Sequence, residues 1–324
     1  MHLVCLSETK LALGCDTTLT VAVDSQNSLV QTILDTLWLE IYKFEKSFSR
    51  FLSDSELSKF NRSAGNWVAI SQEFKDLLLA SNKMSELTHG LHNPFVLPAL
   101  HRFGYNNNFI DRLKEDYVEN YSAGQIVDYK NLEIHDEEAK IPKNTAIDMG
   151  GCGKGYLADK LAEIIDKYPV NGYWFSIGGD IIAKGLDENN EPWELTIQDA
   201  NNPDINLDNS IKIDPKGLSV ASSGTFIRKA KVGRNSWHHI IDPRTFKPAK
   251  SDILLATVVA PTTLQADVLA TSAVILGSDN AKTLQSIKST ELLLQLNSKE
   301  NNYSGYGSLY KSTVKNTRLN KVVA

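Results

Sequence analysis

The chain has 324 residues, with 34 Lys and Arg against 39 Asp and Glu for a net charge of −5. Apolar residues make up 42% and charged residues 23%, an ordinary globular balance that excludes disorder, collagen-like repeats and a basic nucleic-acid-binding arm. Its length suits one large domain or two intimate ones with an adequate core, and Cys5, Cys15 and Cys152 form no Cys-x-x-Cys pair or disulfide framework, which fits a reducing compartment.

In chain order, the start MHLVCLSETKLALGCD lacks the basic leader and long apolar run of a signal peptide. If Met1 is the native start, the expected location is the cytoplasm. No stretch reaches the ~18 uninterrupted apolar residues of a membrane span. Residues 18–25, TLTVAVDS, alternate like a half-buried strand. SLVQTILDTLWLEIYKFEKSFS then places Leu29, Ile33, Leu37 and Ile41 four apart, which predicts an amphipathic helix. A second helix is predicted over Gln72–Leu87, followed by irregular chain. Residues 105–135 are polar and read as surface excursions. From Thr145 the texture changes to short strands between glycine turns: GYWFSIGGDIIAKG, PWELTIQ, LSVASSGTF and WHHIID. ILLATVVA is a further strand, leading through Pro261 into a helix over Thr263–Leu276. Ala281–Ile287 reads as a shorter helix, ELLLQL as a strand, and the chain beyond Ser298 as a polar tail. Helices and strands do not alternate regularly, so the fold class is α+β rather than a doubly wound parallel sheet.

Three clusters could carry chemistry. Asp148-Met-Gly-Gly-Cys-Gly-Lys-Gly-Tyr156 leads into the helix LADKLAEIIDKY. Glycines at a turn into a helix let backbone N–H groups approach an anion, and Lys154 adds a full positive charge. The segment fits neither the Walker A nor the dinucleotide fingerprint, and a tight glycine turn packing helix on strand reads equally well. His238-His239-Ile-Ile-Asp242-Pro243 could hold a general base, although paired histidines at a strand end are often simply solvated. Asp267 and Thr271, i and i+4 in the first turns of a helix, share a face suited to a hard cation. The plain alternative is an aspartate favoured by the helix dipole. No Gly-x-Ser-x-Gly elbow and no zinc-ligand spacing is present.

Taken in order, these segments resemble the FAD:protein FMN transferase (ApbE) family over about residues 12–297. The resemblance is carried by Leu13-Gly14-Cys15, by Phe48-Ser-Arg-Phe-Leu-Ser-Asp-Ser55 running on to Asn61, and by Gly90-Leu-His-Asn93-Pro94. It continues through Asp148 to Asp159, Ile177-Gly-Gly-Asp180, Ser223-Gly224, His239 to Pro248 and Ala266 to Thr271. It implies a T-fold-related, two-lobed α+β architecture of mixed or antiparallel sheets with packed helices. The expected division is an N-terminal α+β lobe over 1–144, a β-rich lobe over 145–300 bearing the metal helix, and a polar tail over 301–324, the two lobes closely integrated as one domain over about 12–297.

The resemblance also implies a function. Family members move the FMN half of FAD onto a threonine or serine hydroxyl of an acceptor protein and release AMP. Some relatives hydrolyse FAD to FMN and AMP instead, and a non-catalytic flavin-binding member is a third reading. The expected metal is Mg2+, with Ca2+ or Mn2+ as alternatives, held by Asp267, Thr271 and an oxygen at Gly151. His239 is the candidate for deprotonating the acceptor hydroxyl, with Asp242 orienting it. Phe51, Leu91, His92, Asn93, Asp148, Lys154 and Ile241 match positions that contact FAD. The expected partners are FAD and the acceptor protein, with no nucleic acid and no transmembrane segment. Four positions depart from the family pattern: Asn93 stands for the usual Asp, Gly153 for Ala, Phe246 for the glycine of a Thr-Gly turn, and Cys15 for Thr.

Overall fold

The structure, a computed structural model, describes residues 2–26, 29–103, 105, 126–226, 229–232, 235–298 and 302–313. The chain opens with β1 (Leu3–Ala12) and β2 (Cys15–Asp24), joined by Leu13-Gly14. Both turn residues have positive φ, 55° and 69°, the geometry whose twist matches two adjoining strands. Next come α1 (Val30–Phe48), α2 (Glu56–Arg62), β3 (Val68–Ala69), α3 (Gln72–Leu87) and α4 (Leu97–Arg102). A small hairpin, β4 (Glu133–His135) and β5 (Glu138–Lys140), precedes α5 (Gly153–Ile165), β6 (Gly172–Ile177) and β7 (Asp180–Gly185). The hairpin β8 (Glu194–Gln198) and β9 (Asn206–Lys212) follows, then β10 (Leu218–Gly224), β11 (Lys229–Val232), β12 (Asn235–His238), β13 (Ile241–Asp242) and β14 (Lys247–Pro248). The chain ends with β15 (Ile253–Ala260), α6 (Thr263–Ala281), β16 (Glu291–Leu296) and β17 (Tyr303–Tyr306), and a helix over 307–313.

Eight of these strands form one antiparallel sheet in the order β1-β2-β6-β7-β10-β15-β16-β17. One face carries α1, α5 and α6; the other is covered by β8–β9 and the 307–313 helix. Alternation along β15 divides its side chains between the two: Ala256, Val258 and Ala260 meet the helices, while Leu255 and Val259 meet the hairpin side. Burial on both faces explains why ILLATVVA is apolar except at Thr257, whose hydroxyl lies 2.8 Å from that of Ser222. α6 is buried on nearly every side, with Ala266, Val268, Leu269, Ala270, Ala273 and Val274 all in the core, so it lacks the one-sided stripe of a surface helix.

The expected lobe boundary at 144/145 falls inside this sheet. β2 pairs with β6 across it, and one core cluster runs from Ala12 to Val268. The reason is topological: the N-terminal hairpin has no sheet of its own and completes the one built by the C-terminal half. The polar tail is likewise corrected, since Tyr303–Tyr306 pairs with β16 and Leu309 is buried; residues 314–324 lie outside the described residues. Most of the excursion expected over 105–135 also lies outside them, and its described end forms β4. α6 runs past the expected stop at Leu276, but Gly277 at φ 73° kinks it there. The helix expected over Ala281–Ile287 is a 3-10 turn, Lys282–Ser286.

Two motif residues prove to be scaffold. Ser55 caps α2 by accepting from the Ser58 N–H at 3.1 Å. Asn61 clamps the backbone of Ile147 on both sides, donating to its carbonyl at 2.9 Å and accepting from its N–H at 2.8 Å. That clamp holds the strand-like approach to the glycine segment against α2.

Candidate active-site cleft

A cleft of about 950 Å3 opens where the turns of the large sheet meet the N-termini of α5 and α6. Its walls come from the Leu13-Gly14 and Gly178-Gly179 turns, the end of α1, residues 91–93, the glycine segment, the end of β10, residues 239–241, and Asp267 and Thr271 of α6. Of the candidate catalytic, flavin-contacting and metal-holding residues, all but Asp242 line it.

The glycine segment packs α5 against α6 and also faces the cleft. A Cβ on Gly150 would lie 2.7 Å from Asp148 Oδ2, so a side chain here would push the Asp148 carboxylate aside. A Cβ on Gly155 would lie 2.6 Å from the Thr263 carbonyl oxygen and 2.7 Å from Leu264 Cα. Gly155 therefore lets the first turn of α5 touch the start of α6, and its N–H donates to Asp267 Oδ2 at 3.4 Å. Asp159, one turn on, locks the same junction by accepting from the Thr263 and Leu264 N–H groups at 2.7 and 3.0 Å. Gly151 faces the cleft beside His92, where a Cβ would sit 3.8 Å from Nδ1.

One cation in this corner faces two carboxylates. Lys154 is ion-paired with buried Asp180. Burial opposes its charge, but the carboxylates of Asp180 and Asp267 more than compensate and hold its pKa above the usual lysine value. Burial pushes the Asp267 carboxyl up while Lys154 pulls it down. Asp267 is only 4% exposed, and Gly155 N–H is its sole hydrogen-bond donor among the described residues. Thr271 Oγ1 lies 2.8 Å from Ser223 Oγ. No group of three or more His, Cys, Asp or Glu side chains gathers among the described residues. A cation here would therefore rest on one carboxylate and neutral oxygens. Asp267, the Thr271 hydroxyl and the Gly151 carbonyl are hard donors of that kind.

The two adjacent histidines separate cleanly. His238 Nε2–H donates to the Ala249 carbonyl at 2.9 Å, and Nδ1 accepts from Ile240 N–H at 3.3 Å. Burial lowers its pKa, and it is structural. His239 lies in the cleft with its ring 6.2 Å from that of Tyr105. Asp242 does not orient it. Its carboxylate accepts from Arg244 N–H and Nε–H, both at 2.9 Å, and from Nη2 at 2.9 Å. The Asp242–Phe246 turn explains this, because Phe246 N–H closes on the Asp242 carbonyl at 2.8 Å and turns the carboxylate toward Arg244. Phe246 adopts the left-handed φ of 55° expected of the glycine it replaces. Its ring is buried with Leu97, Leu100, Phe103 and Ile241 behind the cleft wall.

On the opposite wall, His92 is buried, with Nε2 3.0 Å from Ser81 Oγ. Burial brings its pKa down to about 4, so it is neutral at physiological pH. Asn93 accepts from the Phe95 N–H at 3.0 Å and donates to the Val127 carbonyl at 2.8 Å. The second bond is one an aspartate could not make, so the departure at this position has a structural reason. Leu91, Phe51, Asp148 and Ile241 complete the lining. Sequence reasoning passed over Arg50, Asp180 and Ser223 as individual participants. The only signals were a lone cation after an apolar helix, a Gly-Gly-Asp turn and a Ser-Ser-Gly stretch.

Comparison with known proteins agrees with this architecture. The ApbE family model matches residues 13–294. The FAD:protein FMN transferase of Haemophilus influenzae is 28% identical over 243 residues, covering 72% of this chain and 69% of that protein. The protein of the same name from Klebsiella pneumoniae is 25% identical over 248 residues, covering 74% of this chain and 69% of that one. Among solved structures, the Thermotoga maritima ApbE protein superposes with a TM-score of 0.81 at 25% identity, covering 95% of this chain and 99% of that one. The apo Pseudomonas stutzeri flavinyl transferase ApbE gives a TM-score of 0.81 at 17% identity, covering 97% and 98%. With the family model spanning most of its length and the cleft assembled from the same segments that carry the motifs, the chain belongs to the ApbE family.

Proposed function

We propose that this protein is a divalent-metal-dependent flavin transferase. It moves the FMN half of FAD onto a threonine or serine hydroxyl of an acceptor protein and releases AMP. One observation carries the reading. Four segments far apart in sequence, around Asp148–Lys154, Asp180, His239 and Asp267–Thr271, converge on a single cleft with an oxygen-rich corner and the half-buried Lys154 ammonium.

Phosphoryl transfer is mainly positioning and neutralisation of charge on the phosphate oxygens. The N-terminus of α5 turns its positive dipole end toward the diphosphate. Lys154, kept protonated by Asp180 and Asp267, adds a full charge. Asp267, Thr271 and the Gly151 carbonyl would hold Mg2+, or Ca2+ or Mn2+ in its place, and that ion would supply further charge neutralisation at the diphosphate. The acceptor oxygen attacks the phosphorus on the flavin side, the bond to the AMP oxygen breaks, and AMP leaves with the bonding electrons. His239 takes the acceptor's proton, an assistance typically worth roughly 10²–10⁴-fold. The test is incubation with FAD, Mg2+ and candidate acceptor proteins, read by in-gel flavin fluorescence and AMP release. Flavin bound covalently to an acceptor with matching AMP supports the reading. AMP released in equal amount without an acceptor assigns hydrolysis instead.

A further inference from the structure

Arg50 is buried in the cleft wall, its side chain only 6% exposed. Nε pairs with Asp148 Oδ1 at 3.2 Å, and Nη1–H donates to the Tyr105 carbonyl at 2.9 Å. The guanidinium lies 4.3 Å from the centre of the Phe51 ring and 4.7 Å from that of Tyr105. Nη2 is buried and meets no acceptor among the described residues. A buried guanidinium donor without a partner costs free energy that a folded protein rarely leaves uncompensated.

The surroundings decide which acceptor fits. Asp148 already neutralises the guanidinium, and a phosphate brought to Nη2 would also face that carboxylate. Phosphate has its own cradle at Lys154 and the α5 N-terminus. Beside Arg50 stand aromatic surfaces suited to a flat ring. The geometry points to Arg50 as a specificity-determining residue that donates from Nη2 to an uncharged ring acceptor of the bound dinucleotide, either a flavin carbonyl or an adenine ring nitrogen. This assignment rests on the flavin-dinucleotide reading above.

The test is calorimetric binding of FAD, FMN and ADP to the full-length protein and to its Arg50→Met and Arg50→Lys variants, with circular dichroism as a folding check. Arg50→Lys keeps a cation for Asp148 and loses the planar fork, so it remains informative should Arg50→Met fold poorly. Loss of a charge-assisted hydrogen bond predicts FAD binding weakened roughly ten- to hundredfold in both variants. Only one half-ligand should weaken with it. Loss confined to FMN assigns the flavin ring, with a shift of the bound-flavin absorption bands in the variants; loss confined to ADP assigns adenine. Wild-type affinity for FAD in well-folded variants overturns the inference and leaves the function reading standing. Equal weakening of FMN and ADP also overturns it, as general damage to the cleft. Failure of the unmodified protein to bind FAD removes the function reading and this inference together.

Discussion

The junction between α5 and α6 is the most exposed point of the account, and Gly155→Ala probes it with a single methyl group. The added Cβ would sit 2.6 Å from the Thr263 carbonyl oxygen, and both nearest neighbours are backbone. Neither can rotate away, so the helices must separate by about 0.8 Å to restore the 3.4 Å of ordinary contact. Overpacking of this kind costs about 1–3 kcal/mol, against a gain of up to ~1 kcal/mol from the better helix propensity of alanine. The expected net loss is about 1–2 kcal/mol. The same separation stretches the Gly155–Asp267 hydrogen bond, already 3.4 Å, beyond useful range. Asp267 then loses its fixed orientation, and the Mg2+ concentration for half-maximal AMP release should rise roughly tenfold. Gly153→Ala is the control. Its Cβ would meet the Phe44 ring at 3.6 Å, so it should be neutral or slightly stabilising. Urea unfolding and a Mg2+ titration of AMP release measure both effects. Equal stability and equal Mg2+ requirement in the two variants would refute the junction's role.

His239→Ala should bind FAD with wild-type affinity and transfer roughly 10²–10⁴-fold more slowly; loss of binding instead, by calorimetry, would contradict a proton-handling role. Asp242→Asn should leave the rate within about twofold, because its carboxylate serves Arg244. Its cost is about 1 kcal/mol of stability, modest because Arg244 is 56% exposed. A rate loss matching that of His239→Ala would show that Asp242 does orient the histidine. His92 gives a pH signature. Burial holds its pKa near about 4 against 6.5 when unfolded, so between those values the unfolded chain binds more protons and stability rises with pH. The contribution is complete above about pH 6.5 and is lost as pH falls through about 4, a span worth about 3 kcal/mol. His92→Gln should therefore lose less stability than wild type between pH 7 and pH 4 in urea unfolding; parallel losses would show that the imidazole is not desolvated.

Much of the fold was legible because burial is one-sided where periodicity shows. The spacing of Ile33, Leu37 and Ile41 marked α1, and Gln72–Leu87 matched α3 to the residue. β1 was missed, since its burial pattern is half-exposed along most of its length and gives no clean alternation. β17 was missed for a similar reason: Tyr-Ser-Gly-Tyr is short and polar, and position 305 takes only glycine, since a Cβ there would lie 2.0 Å from the Leu292 carbonyl oxygen. The close integration of the two lobes takes the form of strand pairing between residues 17–22 and 172–177, which is non-local and so could not be placed from the sequence. In the cleft, types of residue were readable and their directions were not. Nothing in His238-His239 tells which ring turns inward, and nothing in Asp242 reveals that a backbone turn through Phe246 aims it at Arg244. Arg50 stayed hidden because its partner Asp148 is remote in sequence, so only the folded chain shows a buried cation with a donor to spare.

The central claim is that one buried carboxylate anchors the metal at the diphosphate. AMP release from FAD, measured against Mg2+ concentration for wild type and Asp267→Asn, tests it most directly, because asparagine keeps the shape at this buried position and removes the charge. The account predicts Mg2+-saturable release in the wild type and, in the variant, a loss exceeding the roughly 10–100-fold typical of residues that merely orient metal ligands. Undiminished release with the same Mg2+ dependence in Asp267→Asn would contradict it.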